Sequence, residues 1–175
     1  MTDAPTLVRL TAVVALGALA SVGDLRTRRI PNVLTFGAAA LGIAFQALTG
    51  GLPGAGLGLV GWLAGAALFF PFFALGGMGA GDVKLLAAFG AWLGPAGALW
   101  TALYGALAGG ALAMIVAVRH RYATTALSNV WWLLGYWKVA GVRPLPELTL
   151  EHARGPRLPY ALPIAIGAMV TLWFR

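Results

Sequence analysis

The sequence predicts an all-α membrane protein: a polytopic bundle of about six transmembrane helices, built as one integral-membrane domain over residues 1–175. Three observations lead there. Sixty percent of the residues are hydrophobic, only 10% are charged and the mean hydropathy is +0.85, so a water-facing surface would lack polar groups. Apolar runs fall at about 5–23, 33–50, 56–75, 83–94, 96–118 and 158–174, and several approach or exceed the roughly 18–20 residues that cross about 30 Å of hydrocarbon as a helix. The cations lie in short clusters between these runs, which is the pattern of cytoplasmic loops. The net charge of +7 therefore speaks for membrane sidedness and against nucleic-acid binding.

The first run ends in "ALAS", where Ala18 and Ala20 imitate a secretory cleavage site. "DLRTRR" follows at once, and arginines directly behind a signal's apolar core resist translocation. Residues 5–23 are therefore expected to stay as the first helix. With six crossings, Arg26, Arg28, Arg29, Lys84, Arg119, Arg121, Lys138, Arg143, Arg154 and Arg157 share one side, and only Arg9 and Arg175 face the other. The crowded side is expected to be the cytoplasm.

Leu85 to Val118 is 34 uncharged residues, too many for one crossing and enough for a hairpin, with "GAWLGPAG" supplying a turn near Pro95. Its first arm is short, since about 13 residues at 1.5 Å each reach only roughly 20 Å. Either the bilayer thins locally, or this short fourth helix begins below the interface and carries Asp82 slightly into the membrane. Between Arg119 and Arg157, "NVWWLLGYWKVAG" is rich in Trp and Tyr and is expected to lie in the interface, as an anchor for the last cytoplasmic loop or as a surface that guides a substrate.

The five acids are Asp3, Asp24, Asp82, Glu147 and Glu151. Asp3 belongs to the N-terminus and the glutamates to the polar loop, where solvation accounts for them, although Glu147 and Glu151 could also attract a basic peptide. Asp24 and Asp82 differ. One closes the first helix in "SVGDLRTRRIPN" and the other opens the fourth in "GAGDVKLL", so the topology puts both at the same membrane face. An aspartate at the bilayer centre costs about 2.5–3.5 kcal/mol, less near an interface, and a functional reading is the default. Two carboxyls a few ångströms apart share one proton, so that one serves as base and the other as acid. A helix N-terminus and Lys84 favour charge on Asp82, which suggests Asp82 as the base, whereas Arg26 and Arg28 favour charge on Asp24.

Gly79 and Gly81 permit positive φ and close backbone approach beside the acid, or simply make a turn. Without cysteine there is no disulfide or thiolate nucleophile. His120 and His152 read as solvated residues of a basic region, and the chemistry calls for no cofactor and no metal.

Taken together, these segments resemble the type IV prepilin peptidase family, membrane aspartyl proteases with a GxGD signature. "GAGDVK" at 79–84 is similar to that family's GxGD-x-K motif. "DLRTRRIPN" at 24–32 is similar to its first aspartate followed by basic residues and Ile-Pro-Asn, and "LPYALPIAIG" at 158–167 resembles its last helix. The resemblance implies an aspartic-type endopeptidase of the bacterial cytoplasmic (inner) membrane that removes the leader of type IV prepilins or pseudopilins at the cytoplasmic side. The substrate would carry a basic leader and an apolar stem helix. Asp24 and Asp82 match the catalytic pair; Gly79, Gly81, Lys84, Pro31 and Asn32 match motif positions, and Pro159 and Tyr160 would shape or line the site. Longer members carry a cysteine-containing insertion and methylate the product; the link of about nine residues here, and the lack of cysteine, point to a short, peptidase-only form. The competing readings are another GxGD intramembrane protease, a proton- or cation-coupled transporter, and a non-catalytic pilus or secretion assembly protein. In other GxGD proteases a tyrosine usually precedes the first aspartate, where this chain has Gly23.

Overall fold

Every described element is a helix, because hydrocarbon leaves the backbone no other way to satisfy its polar groups within one segment. The computed structural model describes residues 3–121, 123–141, 143 and 158–174. In chain order the helices are α1 (Ala4–Thr27), α2 (Asn32–Ala74), α3 (Ala80–Arg119), α4 (Ala123–Ala140) and α5 (Ala161–Trp173). Among the described residues, α1, α2 and α3 are long and apolar enough to cross a membrane, and α5 is a shorter apolar helix. The chain is thus an all-helical, multi-pass membrane bundle.

α2 and α3 are each broken once. At Gly51 the backbone takes φ 62° and ψ −150°, and at Gly94 it takes φ 72° and ψ 177°, regions that a side chain makes costly. Each break folds its helix into two antiparallel arms. Gly54 meets the carbonyl of Gln46 and Gly58 meets Ile43 across the first break; Gly90 faces Ala98 across the second. The turn expected near Pro95 is centred one residue earlier, because glycine tolerates the required φ. The connection expected around residues 51–55 shrinks to Gly51, since Pro53 can open the second arm with its missing N–H unused.

The arms pack through small residues. Gly54, Gly58, Gly61 and Gly65 are all buried on the second arm of α2, spaced four, three and four apart, so they form one face. Against that face lie the backbone atoms of Leu86, Ala87, Gly90, Ala91 and Gly94 in α3. Lipid supplies no hydrophobic force between helices, so such close contact gains its stability from dispersion. The first arm of α2 adds polar ties. Trp92 Nε1 donates to the Ala38 carbonyl at 2.9 Å and Gln46 Nε2 donates to the Trp92 carbonyl at 3.4 Å. On the other flank, Gly105 of α3 approaches the backbone of Ile164 in α5, and Gly17 of α1 approaches Ala165.

Two expectations about length change. α1 does not stop at residue 23 but continues through Asp24 to Thr27, where Arg28 takes a left-handed φ of 54° and donates its N–H to the Asp24 carbonyl. The link to α2 is accordingly only residues 28–31. α4 is longer than the expected 129–141 segment; its length would suffice to cross, but it is not among the helices apolar enough to do so. Glu147, Glu151, His152, Arg154 and Arg157 lie outside the described residues.

Candidate active site

The local structure places Asp82 in the first turn of α3. Gly79 is the residue before the helix, and its N–H donates to Asp82 Oδ2 at 3.2 Å while its carbonyl accepts the Asp82 N–H at 3.1 Å. This is the acidic half of a capping box: the carboxylate reaches back to an amide that no helical bond uses. Gly79 does this with φ −79° and ψ 148°. The expected positive φ is therefore absent at Gly79 and Gly81; it occurs at Gly76, three residues earlier. What position 79 requires is room, because a Cβ there would stand 3.2 Å from Asp82 Oδ2. At Gly81 the Ile30 side chain fills the space, 3.3 Å from where a Cβ would sit.

Asp24 occupies the last turn of α1, and α5 determines its surroundings. The N–H of Ala161, at the opening of α5, donates to Asp24 Oδ2 at 3.2 Å. That amide is one of the four that a helix leaves without an internal partner. Three segments distant in sequence thus converge: the end of α1, the start of α3 and the start of α5. Asp24 is 9% exposed and Asp82 8%, and the charges of the two carboxyls lie within Coulombic reach of each other. Tyr160, just before α5, also lies within Coulombic range of Asp82.

The remaining expected site residues separate into two groups. Pro31 precedes α2, where its carbonyl accepts the N–H groups of Leu34 and Thr35, and Asn32 opens that helix. Lys84 does not pair with Asp82. Its Nζ donates to Asn32 Oδ1 at 2.9 Å and stands 5.6 Å above the centre of the Phe36 ring. This removes Lys84 from the argument that made Asp82 the base. The second group is Pro159 and Tyr160, both half-buried. Tyr160 also lines a cavity of about 220 Å³ with Phe69, Phe72, Met78, Gly105 and Gly109.

The amide of Ala161 went unseen in the sequence because a backbone donor has no residue signature. Ile30 was within the quoted "RRIPN" stretch, but nothing in the order of letters says that its side chain covers Gly81. The apolar cavity wall was equally silent, since Phe69 and Phe72 look like any membrane-helix residues.

None of the curated proteins and none of the solved structures compared with the chain matches it. A model described as the type IV leader peptidase family matches residues 11–114. That span is more than half of the chain and includes both aspartate-bearing helix ends, and the chain belongs to the type IV leader peptidase family.

Proposed function

We propose that this chain is a membrane-embedded aspartyl endopeptidase that removes the leader of a type IV prepilin or pseudopilin, with Asp24 and Asp82 as its catalytic pair. The observation that carries the reading is the convergence of two buried carboxyls from helix ends 58 residues apart, each tied through Oδ2 to a backbone N–H. In a bundle with five acids in 175 residues, burial of two of them within Coulombic reach of each other has a cost that catalysis would explain.

The chemistry needs no cofactor. The pair holds one proton between its members. The ionised carboxyl takes a proton from a water as the water oxygen bonds to the scissile carbonyl carbon. The protonated carboxyl first polarises that carbonyl oxygen. When the C–N bond breaks, the leaving amine takes a proton from the pair, and the proton gained from water restores the starting charge. Backbone bonds at Oδ2 hold both carboxyls in orientation, so little ordering remains for the transition state. Tyr160, near Asp82, is suited to orient the substrate.

We read the two breaks as membrane turns, which makes six crossings: α1, the two arms of α2, the two arms of α3, and α5. The dyad end also bears Arg26, Arg28, Arg29, Lys84 and Arg119, so this end is assigned to the cytoplasm of a bacterial inner membrane. α4, with exposed Trp131 and Trp132, is assigned to the interface. The four-residue link between α1 and α2 supports the peptidase-only form.

The test is cleavage by purified protein in detergent of a peptide spanning a prepilin leader and stem. Asp24→Asn and Asp82→Asn should each abolish product while the folded protein is recovered at normal yield. Substantial activity in either variant removes the dyad; Asp-dependent ion uptake without hydrolysis supports a transporter instead.

A further inference from the structure

Lys84 follows Asp82 by two positions, and on an α-helix that separation is about 200° around the axis. Side chains two apart do not face each other. The lysine is thereby directed away from the carboxylate it accompanies in the sequence, toward the start of α2. There its Nζ meets Asn32 Oδ1 at 2.9 Å and the Phe36 ring at 5.6 Å. Asn32 stands at the far end of the four-residue link from α1, and on that link Ile30 fits against Gly81.

We propose that Lys84 and Asn32 form a strap that sets the distance between the two aspartates, so that Lys84 is a positioning residue and not a charge partner of Asp82. The inference rests on the peptidase reading for its catalytic consequence alone; the geometry it asserts is independent of that reading. Asp24 is held from the α5 side by the Ala161 amide, whereas Asp82 is held within its own helix turn by Gly79. Neither bond joins the two carboxyl-bearing segments to each other. The Lys84–Asn32 bond ties α3 to the first residue of α2, where the four-residue link from α1 ends, and so connects the two through that link. A lysine suits this task because its long stem reaches between helices and its ammonium can donate to a neutral oxygen while lying over an aromatic face. Asn32 suits it because an amide oxygen accepts the bond without adding charge beside the dyad.

The chain has no cysteine, so an Asp24→Cys/Asp82→Cys pair reports their separation directly through the rate of cross-linking by a short thiol-specific reagent in membranes. Adding Asn32→Leu or Lys84→Met should slow cross-linking by about tenfold, and Asn32→Asp, which keeps an acceptor oxygen, should restore it relative to Asn32→Leu. Val33→Ala, at a site that is 87% exposed, should change nothing. In the aspartate-bearing protein, Asn32→Leu and Lys84→Met should each lower kcat by about 10–100-fold with KM within about twofold, and the double variant should be no worse than either single one.

Unchanged cross-linking in Asn32→Leu overturns the strap even if cleavage falls. A kcat loss in Lys84→Met without one in Asn32→Leu also overturns it and assigns Lys84 to the charge of the dyad. Loss of folded protein with normal kcat and cross-linking in the remainder reduces the pair to a structural role and overturns the proposal too. If the unaltered chain cleaves no leader peptide while the cross-linking results hold, the peptidase reading fails and the strap stands.

Discussion

Gly65→Ala adds one carbon where the second arm of α2 crosses the start of α3. That Cβ would stand 2.5 Å from the Leu86 carbonyl oxygen, 2.8 Å from Ala87 Cα and 2.9 Å from Ala87 N. All three are backbone atoms, so no side-chain rotation relieves the crowding. Restoring an ordinary 3.4 Å contact requires the helices to part by about 0.6–0.9 Å, the shortfall against 2.8 and 2.5 Å. Leu86 lies one turn beyond Asp82, so the displacement is delivered to the end of α3 that carries the proposed catalytic carboxyl. Overpacking should destabilise the protein by about 1–3 kcal/mol. A misplacement approaching 1 Å at the reacting groups should lower kcat by up to about 100-fold. The assay pairs leader-peptide cleavage with thermal unfolding in detergent. Gly37→Ala and Gly56→Ala serve as controls, because a Cβ at either meets nothing within 4 Å. If Gly65→Ala matches these controls in both rate and Tm, helix contact at this crossing is not what locates Asp82, and the reasoning fails.

Gly94→Ala should destabilise the α3 hairpin by about 1–3 kcal/mol, since φ 72° with ψ 177° excludes a side chain; an unchanged Tm would show that the break lies elsewhere. Trp92→Phe removes the 2.9 Å bond to the Ala38 carbonyl and should cost about 1 kcal/mol, read as lowered Tm with intact cleavage of the leader peptide. Gly109→Leu should fill much of the 220 Å³ cavity beside Tyr160 with apolar atoms, because the atoms nearest a Cβ there, from Pro163 and Tyr160, stand at an ordinary 3.6–3.9 Å. If this cavity receives part of the substrate, KM rises while the folded yield is kept; an unchanged KM separates the cavity from substrate binding.

The helical class was legible because the bilayer restricts the options: a chain this apolar has to satisfy its backbone internally. The hairpin within residues 80–119 was legible from charge, since Lys84 and Arg119 flank a run twice too long for one crossing. The convergence of Asp24 and Asp82 at one end was legible from topology, because two passes separate them, now the two arms of α2, and an even number of passes returns the chain to the end it left. What failed was local. Gly79 and Gly81 looked like positive-φ glycines, yet their need is for space, against a carboxylate in one case and Ile30 in the other. Residue type alone does not distinguish those causes. Lys84 looked like a partner of Asp82 because they are near in sequence, whereas helix geometry turns them apart.

The role of α5 shows why a motif can be complete in sequence and incomplete in space. Residues 11–114 hold both aspartates, yet the donor that fixes Asp24 comes from Ala161, outside that span. α1 makes its close approach to α5, with Gly17 against Ala165, so the position of Asp24 follows α5 as much as α1. α3 meets α5 in turn through Gly105 and Thr101, and Gly167 lies against both. The last helix therefore joins the halves of the pair: it touches one acid directly and carries the scaffold of the other along its length. A chain shortened before residue 158 would keep every motif carboxylate. It would nonetheless lose the amide at Asp24 and the small-residue contacts that seat α1 against α5, leaving Asp24 located only from the side of the α1–α2 link.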